Sequence, residues 1–425
     1  MNDMAATAPS SAGSGMDHHD PGPGWRIRYW SVFAGQAVSL IGSALTQFVL
    51  LWWITDTTGS VSALATAGLV ALLPQALLGP LGGTLADRWS RRAIMIGADL
   101  VSAACMVLLI ALFLSGSVEL WHLYVMMFVR SAMQAFQQPA ATASTAMLVP
   151  ATFLGRAAGL NQSLTGIMTV AAAPLGALAI SLMPIGYALA IDVVTAVLGI
   201  VPLLIFAIPQ NRFLSDGGPS LWREFREGLD LVWSNPGLRR MYALLGAIVL
   251  IVMPSFTLVP LLVKEHFGGA APQVALIESI GGMGMVAGGL LVAAISPKRH
   301  VLWVLWGFAI SCLSLALTAL TPAQMFPVAV AMWAVSGVTY IAGNAPFTAL
   351  LQSIVPNHLQ GRVLSLLATI MGLASPIGLA IATPLGEWIG VRWLFVTLGL
   401  LGAVVSLLGF TSPILRRMNQ HGQRR

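Results

Sequence analysis

The sequence predicts an all-α membrane protein whose twelve transmembrane helices form two pseudo-symmetric six-helix bundles. Three observations lead to this prediction. The 425 residues are 57% hydrophobic and only 8% charged, long apolar segments recur along the chain, and two stretches repeat at a fixed offset. A soluble domain would have about 25% charged residues, so water is not the main solvent of this chain.

The apolar segments are long enough to cross a bilayer. A membrane helix needs about 20 apolar residues, because lipid offers no partners to backbone polar groups. Twelve segments meet this requirement, six before residue 209 and six after residue 240. They are 29–54, 63–86, 93–114, 121–148, 158–183, 187–208, 241–263, 273–296, 301–320, 324–352, 363–385 and 391–412.

Basic residues are unevenly distributed around these spans. Of the 21 Lys and Arg residues, eighteen fall on one side, Lys264 and Arg392 fall on the other, and Arg130 lies inside a span. Loops rich in Lys and Arg stay in the cytoplasm. The sequence therefore predicts a multi-pass protein of the bacterial plasma (inner) membrane with both termini in the cytoplasm.

An internal repeat relates the two halves. Segment 149–156 (VPATFLGR) and segment 355–362 (VPNHLQGR) differ by 206 positions, and the same offset carries the Gly-Gly pair at 82–83 onto 288–289. This offset maps the second and fourth spans onto the eighth and tenth. Two parallel halves with the substrate site between them are described for one large class of transporters.

The repeat divides the chain into five expected parts. Between the halves, an amphipathic stretch predicts a helix on the cytoplasmic surface, with Leu221, Phe225, Leu229 and Val232 on its apolar face. The parts are a disordered cytoplasmic tail at 1–24, a six-helix bundle at 25–208, a linker at 209–240, a second bundle at 241–412 and a basic cytoplasmic tail at 413–425.

The loop between the second and third spans reads GGTLADRWSRRAIM at 82–95. It closely resembles the signature of the major facilitator superfamily, with Ser90 where many members have glycine. The resemblance implies a cytoplasmic latch that forms in one conformation and breaks in another, and we expect its glycine to let the second helix approach a neighbour closely. The alternative is that the arginines only fix the topology. The latch residues are Gly83, Asp87, Arg88, Arg91 and Arg92.

The resemblance extends to the drug-efflux branch that includes macrolide exporters and the enterobactin exporter, through stretches such as 39–60, 72–88 and 353–363. It implies a secondary transporter with the major facilitator fold that exports amphipathic small molecules, of the macrolide or similar drug type, by proton antiport. The fifth span matches the antiporter pattern only at Pro174 and Gly176. Uptake, siderophore or metabolite export, lipid flipping and a non-transporting sensor remain as alternatives.

Four ionisable residues lie inside the spans and are the candidates for proton coupling. An ionisable group within a membrane is costly unless it is paired or hydrated, so each indicates function by default. Asp192 and Glu278 lie towards the outer ends of their helices, where a partly dehydrated carboxylate could take up a proton from outside. Arg130 could instead form a buried structural ion pair, and Asp99 could anchor the latch arginines.

Polar residues at helical spacing predict one wall of a substrate cavity. The matching positions of the seventh span are apolar (Tyr242, Leu245, Val249 and Met253), which predicts an opposite, apolar wall suited to an amphipathic substrate. Polar contacts that hold helices together are the alternative. The cavity candidates are Gln36, Ser39, Ser43, Gln47, Gln134, Gln137 and Asn344.

No enzyme signature is present in the sequence. It contains no Walker loop, no HExxH and no nucleophile elbow, and Cys105 and Cys312 lie in apolar runs. We therefore expect no catalytic residues, no metal and no cofactor. The expected partners are protons, the lipid bilayer and a small amphipathic substrate, with no nucleic acid or nucleotide, and we expect a monomer.

Overall fold

The computed structural model describes residues 21–208, 221–355 and 357–415, and these residues form twelve α-helices. The first half contains α1 (Trp25–Thr58), α2 (Val61–Arg88), α3 (Arg91–Leu114), α4 (Leu120–Leu148), α5 (Leu154–Leu182) and α6 (Ile185–Ile205). The short α7 (Leu221–Ser234) precedes α8 (Pro236–Phe267), α9 (Ala271–Ile295), α10 (His300–Leu320), α11 (Phe326–Ile354) and α12 (Asn357–Leu408).

Ten helical stretches of the described chain are long and apolar enough to cross a membrane. Two features explain why ten stretches qualify, although twelve spans were predicted. Helix α4 has the length of a span but carries a row of polar residues, and α12 contains the last two predicted spans, separated by a break at Gly390. The φ of +81° at Gly390 is a conformation that only glycine adopts without steric cost. The all-α membrane fold is confirmed, and the count of twelve spans stays a prediction.

Helix packing repeats between the two halves. Helix α2 packs against α4, and α6 packs against α1 and α3; in the same way α9 packs against α11, and α12 packs against α8 and α10. A Cβ at Gly82 would overlap the carbonyl oxygen of Ala135, and one at Gly288 would overlap the carbonyl oxygen of Val338. The 206-residue offset thus relates two close helix contacts, α2 with α4 and α9 with α11.

The halves α1–α6 and α8–α12 meet unevenly along their length. We call the end that carries Arg88, Arg91 and Arg92 the arginine end, and the end where α1 meets α2 the closed end. At the closed end one apolar cluster contains residues of both halves, such as Leu64 of α2 and Leu379 of α12. At the arginine end each half has its own cluster. The halves therefore join at the closed end and part towards the arginine end.

The predicted surface helix corresponds to α7, which packs against α8 and α12. Val232 is buried there in the cluster of the second half, while Leu229 and Trp233 are exposed. The side chains of Leu221 and Phe225, and residues 209–220 of the predicted linker, lie outside the described residues.

Candidate transport site

A cavity of about 460 Å³ lies within the first half, between α1, α3, α4, α5 and α6. It extends along α1 from Tyr29, near the arginine end, to Ser43, which is about 21 Å at the rise of an α-helix. Its volume lies in the range of small-molecule pockets. Its lining, as far as the described residues show it, belongs to the first half, whereas the sequence predicted a cavity between the two halves.

Most of the predicted cavity residues line this space. Gln47 is exposed on α1 one turn beyond Ser43, and Asn344 is half-buried on α11 in the second half, so neither belongs to the cavity lining. Three of the ionisable candidates, Asp99, Arg130 and Asp192, also line the cavity. The predicted cavity residues that do so are Gln36, Ser39, Ser43, Gln134 and Gln137.

A buried ion pair lies at the deep end of the cavity. Arg130 Nη1 of α4 is 2.9 Å from Asp192 Oδ2 of α6, and their side chains are 14% and 6% exposed. The Ser43 hydroxyl donates to Asp192 Oδ1 at 3.2 Å, and Arg130 Nη1 also lies 3.3 Å from Met106 Sδ. The pair and its two neighbours thus connect four helices of the first half, α1, α3, α4 and α6. Removing either partner would leave an uncompensated buried charge.

Small residues bring α1 and α6 close enough to form this site. A Cβ at Gly42 would overlap the Thr195 hydroxyl, and a Cβ at Gly199 would lie 2.9 Å from Cβ of Ser39. Only glycine permits such an approach of two helix backbones. Because Gly42 precedes Ser43, this contact fixes the serine hydroxyl beside Asp192.

Asp99 has a different environment. The Gln36 amide lies against its carboxylate, and Gln137 Nε2 donates to Gln36 Oε1 at 2.7 Å. The other carboxylate oxygen, Oδ2 of Asp99, is buried without a hydrogen-bond partner among the described residues. The interpretation of Asp99 as an anchor for the latch arginines is wrong, because it lies two helical turns from Arg91 and lines the cavity.

The latch arginines bind main-chain carbonyls within the first half. Arg91 Nη1 donates to the carbonyl of Ala143 in α4 at 3.0 Å. Arg92 Nε donates to the carbonyl of Leu203, and its Nη2 donates to that of Leu204 at 2.6 Å. The last carbonyls of a helix lack intrahelical partners and favour a positive charge. Arg92 therefore ties the start of α3 to the end of α6.

The expected close approach at Gly83 is wrong in this structure. A Cβ at Gly83 would meet nothing within 4 Å, whereas the preceding Gly82 contacts α4. Arg88 is exposed, and the side chain of Asp87 lies outside the described part of the chain. The latch itself stays a prediction.

Glu278 lies outside the cavity, in the second half. It is half-buried on α9, with no hydrogen-bond or ion-pair partner among the described residues. One turn further along α9, a Cβ at Gly282 would lie 2.9 Å from the carbonyl oxygen of Thr169 in α5. Glu278 is therefore next to a contact between the two halves.

The predicted apolar wall is also wrong. Tyr242, Leu245 and Val249 of α8 are buried in the core of the second half, and Met253 packs against that core. The Tyr242 hydroxyl donates to the carbonyl of Val363 in α12 at 2.9 Å. These apolar residues stabilise the second half and do not line the cavity.

Several residues that line the cavity were not predicted from the sequence. Asn161, Gln162 and Thr165 contribute from α5, and Tyr29 closes the cavity near the arginine end. The α5 residues form a polar group at helical spacing inside an apolar span, so the sequence contained the signal that would have found them. No group of three or more His, Cys, Asp or Glu side chains in the described residues could hold a metal ion.

This chain is similar to known proteins in sequence and in fold. The profile of the Major Facilitator Superfamily matches residues 32–379. Macrolide efflux protein A of Streptococcus pyogenes is 32% identical over 398 residues, which cover 93% of this chain and 98% of that protein. Multidrug efflux pump Tap of Mycobacterium tuberculosis (strain ATCC 25618 / H37Rv) is 24% identical over 421 residues, with coverage of 95% and 96%.

A similar solved structure is that of a bacterial homologue of the human lysosomal transporter Spinster, in an inward-facing and unoccupied conformation. Its TM-score is 0.71 at 16% identity, with 94% of this chain and 99% of that chain covered. At this identity the likeness shows the fold.

Two repeated helical halves with a polar cavity in a membrane bundle define a multi-pass membrane transporter. The chain belongs to the Major Facilitator Superfamily. Its curated relatives confirm the resemblance to the drug-efflux branch, and they and its structural neighbours are transporters rather than enzymes.

Proposed function

We propose that this protein exports amphipathic small molecules, of the macrolide or similar drug type, in exchange for protons. The single observation that carries the proposal is a drug-sized cavity with a buried ion pair, inside a bundle whose halves join at one end only. The names of the relatives, macrolide efflux protein A and multidrug efflux pump Tap, support the substrate class.

The proposal includes an orientation. With the arginine end in the cytoplasm of a bacterial cell, the positive-inside rule is satisfied and both termini are cytoplasmic. With the halves joined at the closed end only, this conformation would then be open to the cytoplasm and closed to the outside. The protein works in the inner membrane as a monomer, without nucleotide or cofactor, and performs no enzymatic reaction.

Proton coupling is assigned to the membrane carboxylates. Protonation of Asp192 would remove the charge that Arg130 neutralises, weaken the 2.9 Å pair and loosen α4 from α6. Glu278, beside the contact of α9 with α5, could couple its own protonation to the separation of the halves. A transporter of this type needs at least one such group to load a proton outside and release it inside.

The test is accumulation of a panel of labelled drugs, including a macrolide, in cells with and without the protein. We expect lower accumulation of at least one drug in the expressing cells, and we expect a protonophore to remove the difference. Equal accumulation of every drug would contradict export. Replacing Asp99 and Asp192 by Asn and Glu278 by Gln should abolish pH-driven transport, and persistence of such transport would contradict proton antiport. Glu387→Gln, at an exposed carboxylate on α12, is the matched control.

A further inference from the structure

The cavity in the first half contains one acidic group that no cation of the described residues neutralises. The charged residues of its described lining are Asp99, Arg130 and Asp192. Arg130 already pairs with Asp192, which also accepts a hydrogen bond from Ser43. Asp99 Oδ2 is buried and has no partner among the described residues. With all three groups ionised, the cavity has an excess of one negative charge.

This imbalance indicates the charge of the ligand. A buried carboxylate without a counter-charge is unfavourable, and more so within a membrane. A ligand that supplies the missing positive charge therefore gains an ion pair in a site of low dielectric constant. An anion would gain nothing comparable, because the cation of the described lining is already paired at 2.9 Å.

A second unpartnered polar group lies at the other end of the cavity. Tyr29 is only 2% exposed, and its hydroxyl has no hydrogen-bond partner among the described residues. Its ring stacks on Phe33, with 5.7 Å between the ring centroids and 25° between the planes. Both side chains line the cavity, so they offer an apolar surface and a hydrogen-bonding group. Tyr29 lies about 10 Å along α1 from Gln36, the residue beside Asp99.

We propose that this cavity binds organic cations, with the Asp99 carboxylate paired to the protonated amine or quaternary ammonium of the ligand. The apolar body of the ligand lies against Phe33, and a polar group of the ligand meets the Tyr29 hydroxyl. The proposal rests on the proposed export function and narrows its substrate class, since a neutral amphipathic molecule would leave Asp99 uncompensated. It also places the recognition group in the first half alone.

Equilibrium binding to the purified full-length protein in lipid nanodiscs tests this assignment. The probes are methyltriphenylphosphonium, a permanent cation, and triphenylphosphine oxide, a neutral molecule with the same three phenyl rings. We expect the wild-type protein to bind the cation about tenfold tighter or more than the neutral probe. Asp99→Asn should weaken cation binding roughly thirtyfold and leave binding of the neutral probe unchanged, because it removes one partner of a buried charge pair.

Two further variants make the result specific. Asp99→Glu keeps the charge and should retain most of the affinity for the cation. Glu387→Gln removes an exposed carboxylate outside the cavity and should leave both affinities unchanged. Thermal unfolding and size-exclusion chromatography establish that each variant is folded. An Asp99→Asn protein that is folded and binds the cation as tightly as wild type would overturn the proposal, as would equal weakening of both probes.

The outcome is separable from that of the export assay. If no drug is exported but the charge-selective binding depends on Asp99, the proposed function fails and the cation site stands. If export occurs but the wild-type protein binds the two probes equally, the cation site fails and the proposed function stands.

Discussion

The closed end and the arginine end of the molecule are held together in different ways. At the closed end a single apolar core contains residues of both halves, and small residues allow contact between them. A Cβ at Gly68 of α2 would lie 2.7 Å from Thr257 of α8 and 2.8 Å from Leu379 of α12. At the arginine end each half has a core of its own, and Arg92 ties α3 to α6 within one half.

This difference indicates which parts of the molecule can move relative to each other. Within the first half, a Cβ at Gly82 would overlap the carbonyl oxygen of Ala135, and one at Gly42 would meet the Thr195 hydroxyl and the Cα of Asp192, so these helices are in close contact. Between the halves, a Cβ at Gly68 would meet side chains, whereas one at Gly282 of α9 would meet the carbonyl oxygen of Thr169 in α5. Because the halves share a core only at the closed end, the proposed transport cycle requires the interface at that end to open.

Locking the closed end should produce the largest effect. A Cβ at Gly386 of α12 would lie 2.9 Å from Val61 of α2, so cysteines at these two positions could form a disulfide between the halves. In a background without Cys105 and Cys312, we expect Val61→Cys with Gly386→Cys to form this bond under oxidation and to abolish transport. A reducing agent should restore transport. The measurements are drug accumulation and the mobility shift of a protein with an engineered cleavage site between the halves.

Each single-cysteine variant is the control for this lock. It should transport in both oxidising and reducing conditions. A crosslinked protein that transports at the wild-type rate would show that the two halves do not separate at the closed end.

Wedging the same interface should have the next largest effect. A side chain at Gly282 would meet the carbonyl oxygen of Thr169 at 2.9 Å and the Cα of Val170 at 3.3 Å, and both are backbone atoms that cannot rotate away. We expect Gly282→Leu to reduce export about tenfold or more, because overpacking of this size costs roughly 1–3 kcal/mol and opposes closure. Gly97→Leu on α3 is the matched control, since a Cβ there would meet nothing within 4 Å. Equal losses of export in the two variants would indicate general misfolding.

The sequence predicted the helices much better than their contacts. The first ten predicted spans each match one helix with ends within about five residues, and the last two lie in α12. Length and apolar composition decide whether a segment can cross a bilayer. The repeat also held, as the equivalent contacts at Gly82 and Gly288 illustrate. The sequence could not decide which glycine of the pair 82–83 touches α4, because one step along a helix rotates a residue by about 100°.

For the charged residues too, the sequence identified the residues but could not predict their contacts. The sequence identified Arg130 and Asp192 as membrane-embedded charges and left a structural pair open, but their pairing depends on how α4 and α6 face each other. Asp99 was assigned to the latch from its nearness along the chain to Arg91 and Arg92. In the folded protein, helix rotation directs it instead to Gln36 and the cavity. The cavity was expected between the halves because that is where the substrate site of transporters with two parallel halves is described. Only the packing of α8 shows that its apolar positions belong to a core.

At the arginine end, loss of the Arg92 hydrogen bonds between α3 and α6 should lower the stability of the first half only. Arg92→Leu leaves the carbonyls of Leu203 and Leu204 without their donor, and hydrogen bonds to charged groups contribute about 1.5–3 kcal/mol. We expect a lower midpoint of thermal unfolding for the purified protein. Arg88→Leu removes an exposed charge of the same loop and should lower the midpoint less. A larger decrease of the midpoint for Arg88→Leu than for Arg92→Leu would contradict the assignment of Arg92 as the tether between α3 and α6.

The smallest effect is expected from a charged contact at the closed end. Lys264 Nζ of α8 lies 3.1 Å from Asp56 Oδ1 and donates to the carbonyls of Thr55 and Asp56 at the end of α1, so it joins the two halves. Its side chain is 30% exposed and that of Asp56 is 62% exposed. Exposed ion pairs contribute about 0–1 kcal/mol and are weakened by salt.

Lys264→Gln should therefore slow formation of the disulfide between Cys residues at 61 and 386 by only about two- to threefold, since the closed end opens slightly more often. High salt should reduce the difference between this variant and the parent. Lys298→Gln makes the same change at an exposed lysine beyond the far end of α9, next to the arginine end, and should leave the crosslinking rate unchanged. Equal slowing by both variants would mean that net charge, rather than this contact, sets how firmly the closed end is held. A much larger decrease of the crosslinking rate in Lys264→Gln would mean that the shared apolar core contributes less to closure than its burial indicates.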